Sequence, residues 1–260
     1  MHKLSLIAAA LAISTASAQE PTQPKFGPEA VPILEETAFL REAPAPDYWT
    51  LSAFYLPQQT SSDCSAAAVT MAVNALRGLP PDAEDELISE QALVGLVGNA
   101  TWSEQVAENG PGVTFEDLTS VLRASLDSVG LGHAVITAVQ PAAADAEALA
   151  GLRQALTENE ASADDVMLVY FNQGVITGDW DGPHISPIGA YDAERDRVLV
   201  MDVDRNWYVP YWTSTRTLLA ALVKPIAEEH GPLAGGIGGY VLARKGPRTR
   251  QAGSVPPLPR

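Results

Sequence analysis

The sequence predicts an α+β fold, with helices in the first part of the chain and strands in the second. Apolar residues recur at helical spacing over 64–76 and 115–128, whereas 166–171, 184–191 and 197–203 have the composition of strands. The last two strands flank a short turn and form an antiparallel hairpin in outline. With 260 residues, 46% of them hydrophobic, the chain is long enough for one ordinary core and therefore for one main domain.

The first residues have the pattern of a secretory signal. Met1-His2-Lys3 is a short positive start, residues 4–13 are apolar, and Ala16-Ser17-Ala18 has the small-x-small form that signal peptidase reads. We therefore interpret residues 1–18 as a cleaved signal peptide. This predicts a periplasmic or secreted protein.

Proline content predicts where the domain begins and ends. Residues 19–44 contain five prolines and are expected to form an extended arm, with one short helix around Leu34 to Arg41. The basic, proline-rich residues 244–260 are expected to form a disordered tail. The domain between them is predicted to span residues 45–243.

Charge and cysteine content exclude several classes of function. A formal charge of −16 and a pI near 4.5 argue against binding DNA, RNA or anionic lipid through a general electrostatic patch. After the signal, no segment approaches the roughly 20 apolar residues that a membrane-spanning helix needs. One cysteine can form no internal disulfide, and no cluster of Cys and His predicts a metal site.

Helix signals are clear in the first part of the chain. Residues 61–63 are N-cap types before an alanine-rich helix, which Gly78 and Pro80 end. The acidic stretch 82–96 is the next expected helix, with its charges on a solvated face. Thr114 and Asp117 then form a capping box for a helix that runs to about Ser128.

Strands dominate the second part. The segments 133–139 and 166–171 have strand composition and enclose a helix from about Asp145 to Leu156. After the hairpin, a helix from about Thr215 to Val223 and a strand over 239–243 complete the predicted domain.

The only cysteine, Cys64, lies on the first turn of the alanine-rich helix. Free backbone N–H groups and the positive end of the helix dipole favour a thiolate there, the form that attacks carbonyl groups. Gln58, six residues earlier, could complete an oxyanion hole. The alternative is that Cys64 is a small, buried packing residue.

One histidine stands out as a partner for this cysteine. His184 follows a Gly-Pro turn at the mouth of the hairpin, and Asp202 stands at the end of the returning strand. Strand pairing can bring the two side chains together, which would supply a nucleophile, a base and a carboxylate that orients the base. His133 and His230 are interpreted as structural or solvated.

Five motifs together resemble the phytochelatin synthase family. They are Gln58-x5-Cys64, Asn74-Ala75-Leu76, Gly112-Val113-Thr114-Phe115, His184-Ile185-Ser186-Pro187-Ile188-Gly189-Ala190-Tyr191 and Asp202-x2-Arg205-x2-Tyr208-x-Pro210-x-Trp212. The resemblance covers residues 45–243 and implies a papain-like fold, an N-terminal helical lobe packed on an antiparallel sheet. It also implies a Cys-His-Asp triad that removes glycine from glutathione and passes the γ-glutamylcysteinyl group to another glutathione or to water.

Each site residue follows from its place in these motifs. The resemblance makes Cys64 the nucleophile, His184 the base and leaving-group acid, and Asp202 the residue that orients His184. It makes Gln58 the oxyanion donor, with Gln59 as the competitor for that role. Arg205 and Tyr208 match positions that shape the substrate site, for which a buried ion pair and a packed ring are the alternatives.

The chain departs from the family pattern at three places. Ser65 follows the cysteine, where the family usually has Gly and where a side chain could crowd the acyl group. Gly238 stands where the family commonly has a basic residue, and Asn172-Gln173 stand where an arginine is often found. The cysteine-rich C-terminal domain of the plant enzymes has no counterpart, as in short bacterial relatives. These departures predict more hydrolysis than transfer.

The resemblance therefore predicts an exported glutathione γ-glutamylcysteinyltransferase-like cysteine peptidase, with a role in metal detoxification. It implies no required cofactor and no metal site in the protein. Cadmium or zinc would enter as a thiolate complex of the substrate, and the oligomeric state, monomer or homodimer, stays open. The alternatives are a papain-like peptidase for other short peptides and a noncatalytic exported binding protein of the same fold.

Overall fold

The computed structural model describes residues 24–246. The signal peptide predicted over 1–18, the first residues of the predicted arm and most of the predicted tail lie outside this range, so these interpretations stay predictions. Within it, no helix combines the length and the apolar character that crossing a membrane requires.

The described residues form a seven-stranded sheet in which neighbouring strands are antiparallel, in the order β1-β6-β5-β4-β3-β7-β2. The strands are β1 (Val31–Pro32), β2 (Val135–Val139), β3 (Asp165–Asn172), β4 (Pro183–Asp192), β5 (Arg197–Val200), β6 (Tyr211–Ser214) and β7 (Gly239–Arg244). The helices are α1 (Ala38–Glu42), α2 (Pro46–Ala53), α3 (Cys64–Arg77), α4 (Glu90–Val97), α5 (Ala100–Gln105), α6 (Phe115–Ser128), α7 (Ala146–Asn159), α8 (Gln173–Thr177) and α9 (Thr215–Val223).

Hydrophobic cores lie on both faces of the sheet, and the buried strand β3 divides its side chains between them. Val166, Leu168 and Tyr170 join the core built with helices α2 to α6. The alternate residues of β3 join the core built with α7 and α9, because successive side chains of a strand point to opposite faces. The α+β prediction, with an N-terminal helical lobe packed on an antiparallel sheet, is confirmed.

Helix α3 is the central element of the helical lobe. Every residue from Ser65 to Leu76 is buried, and Gly78 ends the helix with φ at 80°, a conformation that glycine adopts without strain. Cys64, the first helical residue, is partly exposed. The predicted position of the cysteine on the first turn of a buried helix is confirmed.

The helix predicted over 82–96 is wrong in its first half, because the chain becomes helical only at Glu90. The Ser89 hydroxyl accepts a hydrogen bond from Ala92 N–H and caps this later start. Before it, the Asn74 side chain bonds both the N–H and the C=O of Ile88, at 3.1 and 2.8 Å. These two bonds satisfy the Ile88 backbone without a helix.

Five further elements are absent from the sequence prediction: helices α2, α5 and α8 and strands β1 and β6. Helix α2 begins at Pro46, which fits the first helical position because its missing N–H needs no partner there. The short helix α8 and the four-residue strand β6 give little periodicity to detect. Elsewhere the bounds of the helices and strands agree with prediction to within about four residues, and the predicted capping box of Thr114 and Asp117 is present.

Candidate active site

A cleft of about 950 Å³ opens between the helical lobe and the sheet. Its walls come from loops that are far apart in sequence: residues 58–62 before α3, residues 108 and 110–113 before α6, residues 179–180 before β4, residues 206–208 after β5, and residues 229–233. Cys64 and His184 both line this cleft.

The sheet brings His184 and Asp202 together. His184 is the second residue of β4, and the Met201 N–H donates to the Pro187 carbonyl at 2.9 Å, which extends the β4–β5 pairing beyond the hairpin. His184 Nε2 is consequently 3.0 Å from Asp202 Oδ1, and both side chains are buried. Cys64 lies close enough to the same imidazole to contribute to its raised pKa. The structure thus unites the three residues that the sequence predicts as nucleophile, base and orienting carboxylate.

Charges in the site favour a protonated His184. Burial alone would lower the pKa of this imidazole, but the Asp202 carboxylate, the hydrogen bond to it and the nearby Cys64 side chain outweigh burial and raise the pKa well above the usual value. For Asp202, burial raises the pKa, whereas the His184 charge and several hydrogen bonds lower it to below the usual value. The pair is therefore an imidazolium held by a carboxylate.

Gln173 is a site residue that the sequence did not reveal. Its buried side chain donates from Nε2 to Asp202 Oδ2 at 3.1 Å, while its Oε1 accepts from the Tyr211 hydroxyl at 3.3 Å. The Asp204 N–H bonds the other oxygen, Asp202 Oδ1, at 2.9 Å. The sequence marks position 173 only as part of a departure from the family pattern, and its contact with Asp202 depends on the β3–α8 turn.

The two candidate oxyanion donors are both at the cleft. Gln58 is partly buried, its backbone N–H donates to the Val203 carbonyl at 2.9 Å, and its Nε2 donates to the Thr60 carbonyl at 3.1 Å. Gln59 is exposed, and its Nε2 donates to the Pro57 carbonyl at 2.8 Å. Each amide keeps a second N–H for a ligand. Greater burial favours Gln58, and its role stays a prediction.

Of the two predicted substrate-site residues, only Tyr208 lines the cleft. Its hydroxyl donates to Asp179 at 2.8 Å, and its ring packs edge-on against Phe26 and Tyr211. Arg205 is exposed and lies outside the residues that line the cleft, with its guanidinium carbon 4.6 Å from the centroid of the Tyr55 ring. This cation–π contact helps to hold the ring of Tyr55, whose hydroxyl donates a hydrogen bond to the Asp202 carbonyl. The prediction that Arg205 contacts substrate is therefore not supported by its position.

The departures from the family pattern have local explanations. Ser65 is buried, and its Oγ accepts from the Trp102 indole N–H at 3.1 Å, so it points into the helical core rather than toward the acyl group. At Gly238, a Cβ would lie 1.8 Å from the Tyr170 carbonyl oxygen, which leaves no room for a basic side chain. Asn172 accepts from the Val175 N–H and caps α8.

Two remaining features of the cleft concern histidine and metals. His230 lines the cleft wall, where its Nε2 is 2.7 Å from the Asp181 carbonyl oxygen and its ring meets Trp180 edge-on. Over residues 24–246 there is no group of three or more His, Cys, Asp or Glu side chains arranged to hold a metal ion.

Comparisons with known proteins agree with the geometry of the site. A family model described as phytochelatin synthase matches residues 29–229. The chain is similar to glutathione gamma-glutamylcysteinyltransferase 1 of Triticum aestivum, 34% identical over 107 residues, which are 41% of this chain and 21% of that protein. It is 41% identical to glutathione gamma-glutamylcysteinyltransferase 1 of Arabidopsis thaliana over 56 residues, 22% of this chain and 11% of that protein.

The matched segments are short relative to these proteins, since they span about a fifth of their length or less. Among solved structures, the Pseudomonas avirulence protein AvrPphB aligns with 74% of this chain and 98% of its own, at 11% identity and a TM-score of 0.32.

Proposed function

Because the chain belongs to the phytochelatin synthase family, we propose that it is a cysteine acyltransferase and peptidase that removes glycine from glutathione. The observation that carries this proposal is the buried His184–Asp202 pair beside Cys64 in an open cleft. All three residues lie inside the segment that the family model matches.

In the first step, His184 holds the Cys64 thiol proton as an imidazolium before attack, and the sulfur attacks the carbonyl carbon of the cysteinyl–glycine peptide bond. The carbonyl oxygen becomes an oxyanion, to which the free N–H of the Gln58 amide donates. The carbon–nitrogen bond then breaks, and His184 gives its proton to the leaving nitrogen. Glycine departs, and a γ-glutamylcysteinyl thioester remains on Cys64.

In the second step, His184 removes a proton from a water molecule or from the amine of a second glutathione. The oxygen or nitrogen attacks the thioester carbon, the carbon–sulfur bond breaks, and Cys64 regains a proton through His184. Water gives γ-glutamylcysteine, whereas the amine gives a phytochelatin-like oligomer. No cofactor takes part, and cadmium or zinc would act as a thiolate complex of the substrate.

We propose that hydrolysis predominates. An acceptor glutathione must be held beside the thioester to compete with about 55 M water. Basic side chains are the natural anchors for its carboxylates, but Gly238 has no room for one and Arg205 lies outside the cleft. The residues described in the cleft include one basic anchor, Lys25, against four carboxylates, from Glu108, Asp179, Asp204 and Glu229, so only one of the two carboxylates of an acceptor has a cation to bind. We further propose that the mature protein begins at Gln19 and acts outside the cytoplasm, in metal detoxification.

The test is to incubate the mature protein with millimolar glutathione, with and without cadmium, and to identify products by mass spectrometry. We expect glycine and γ-glutamylcysteine as main products and oligomers as a minor fraction. Cys64→Ala and His184→Ala should each lower turnover by about 10³-fold or more, because triad members act as a unit. His133→Ala is the matched control, because His133 is exposed and does not line the cleft.

Each failure has a distinct meaning. Near wild-type turnover in His184→Ala would contradict the triad, and dominant oligomers would contradict the preference for hydrolysis. Turnover of other short peptides but not of glutathione would favour the alternative peptidase. A folded protein with no turnover and an unreactive Cys64 would favour the noncatalytic binding protein.

A further inference from the structure

Lys25 is the one lysine or arginine among the described residues that line the cleft. Four carboxylates share the cleft with it, from Glu108, Asp179, Asp204 and Glu229. The residue precedes the segment 29–229 that the family model matches. Its ammonium group is therefore a feature of this chain that the family comparison does not explain.

The Lys25 ammonium is held in place by aromatic rings as well as by charge. Its Nζ lies 4.2 Å from the centroid of the Trp207 ring and 4.6 Å from that of Tyr208. It also lies 3.1 Å from Asp179 Oδ2. The rings attract the cation through their faces and use none of its hydrogen-bond donors. Since an ammonium has three N–H donors and Asp179 takes one, donors remain for a ligand.

Lys25 shares the cleft with His184, which exchanges protons with the amine in the proposed reaction. Burial raises the pKa of Asp204, and the charges of His184 and Lys25 both oppose this rise, which places both cations within electrostatic range of one carboxyl group. Tyr208 and Lys25 also share the Asp179 carboxylate. Gln58 and Cys64 line the same cleft, and in the proposed reaction they act on the carbonyl that is attacked.

The leaving group and the acceptor carry their carboxylates in the same relation to nitrogen. Departing glycine is an amine with a carboxylate one carbon away, and the α-amino end of an acceptor glutathione has the same α-amino-carboxylate arrangement. In the proposed reaction, both amines exchange a proton with the same nitrogen of His184. One fixed cation beside that position can therefore bind the carboxylate of departing glycine or that of the acceptor glutathione.

We propose that Lys25 is the carboxylate-binding residue for the amine side of this reaction and selects substrates whose leaving amine carries a free α-carboxylate. This rests on the proposed function. The ion pair with Asp179 does not prevent it, because a partly exposed pair is weak and a substrate carboxylate can join the same ammonium.

The test compares glutathione with its C-terminal amide, which has the same leaving nitrogen and lacks the carboxylate. In Lys25→Gln we expect kcat/KM for glutathione to fall about tenfold, mainly through KM, because one charged hydrogen bond is lost. The value for the amide should stay unchanged, and Lys25→Arg should restore most of the loss. Lys224→Gln is the matched control, since Lys224 is equally exposed and ion-paired to Asp181 but does not line the cleft.

A second variant separates substrate binding from a structural role of the ion pair. Asp179→Asn can still accept from Tyr208 and releases Lys25 from its partner, so it should increase the preference for glutathione over the amide. If Lys25 only braced the cleft wall, Lys25→Gln and Asp179→Asn would lower turnover of both substrates alike. That result overturns the assignment of Lys25 alone, whereas no turnover of either substrate by the wild type overturns the proposed function and this inference together. Thermal unfolding of each variant checks that the fold is intact.

Discussion

Asp202 is the most fully anchored side chain in the site. Its oxygens receive bonds from His184, the Asp204 N–H and Gln173, and none of its side chain is exposed. A buried carboxylate needs such donors to stay charged. Because a charged Asp202 supports the imidazolium of His184, Gln173 is a positioning residue that acts through Asp202.

We therefore predict that Gln173→Leu lowers kcat about tenfold and moves the alkaline limb of the rate profile to lower pH. Without the Nε2 donor, the charged form of Asp202 is less stable. Asp202 then raises the pKa of His184 by less. A histidine with a raised pKa is protonated at low pH and loses its proton, and with it the leaving-group acid, as pH rises through that pKa. The measurement is kcat against pH from about 5 to 9. Gln154→Leu, on the exposed face of α7, is the control, and an unshifted profile in Gln173→Leu would show that Gln173 only packs.

The sequence was sufficient to identify the three residues of the proposed triad and insufficient to identify those that support them. Cys64, His184 and Asp202 follow from local signals, namely a helix start, a strand start and a hairpin return. Gln173 gives no such signal, because its contact with Asp202 depends on side-chain directions at a turn. Arg205 matches a motif, yet its side chain packs on Tyr55 and leaves the cleft. A motif fixes a backbone position more securely than it fixes where a long side chain points.

At the scale of elements, helix α2 is attached to the rest of the molecule through a buried polar pair. Asp47 on α2 accepts from the Asn159 amide at the end of α7, and both side chains are almost fully buried. Burial and the nearby carboxylates of Asp165 and Glu160 raise the pKa of Asp47 to about 9. The contact joins residues 112 positions apart, which explains why the sequence did not reveal it.

This pair predicts a specific dependence of stability on pH. An acid whose pKa is raised in the folded state binds a proton that the unfolded chain releases, so the free energy of unfolding falls as pH rises between about 4 and 9. One such proton gives a slope of about 1.4 kcal/mol per pH unit. Asp47→Asn keeps an oxygen that can accept from Asn159, but it has no proton to release and should lose this slope. The free energy of unfolding of the variant should therefore increase relative to that of the wild type as pH rises.

Chemical denaturation at several pH values across this range is the measurement. Burial raises the pKa of Glu160 to about 7, so the free energy of unfolding of Asp47→Asn should still fall with pH at the lower end of this range. Asp164→Asn is the control because Asp164 is a neighbouring but exposed carboxylate. Equal slopes in Asp47→Asn and the wild type would mean that Asp47 is charged in the folded protein.

At the scale of the whole molecule, the sequence predicted the order of elements well and the cleft poorly. Capping residues, glycine stops and alternating strands are local features of the sequence. They were sufficient to predict helices such as α6 and α9 and the β4–β5 hairpin. The cleft walls come from segments spread between residues 25 and 233, and only the folded sheet brings them together. The cleft position of Lys25 was hidden for this reason.

The charge of the molecule supports a last prediction, about salt. The chain carries a formal charge of −16, and its cleft has four carboxylates against one lysine among the described residues that line it. Glutathione near neutral pH has two carboxylates and one ammonium group, so long-range repulsion opposes its approach. Since the screening length falls from about 30 Å at 0.01 M salt to about 8 Å at 0.15 M, added salt should weaken this repulsion.

We expect kcat/KM for glutathione to rise about twofold over that range, and the value for its C-terminal amide, which has no net charge, to stay level. Contact between Lys25 and a substrate carboxylate acts at short range and is screened less than the repulsion from distant charges. The comparison of the two substrates separates a change in electrostatic attraction from a general effect of salt on the enzyme. A fall in the glutathione value with salt would instead mean that attraction near Lys25 outweighs the field of the acidic molecule.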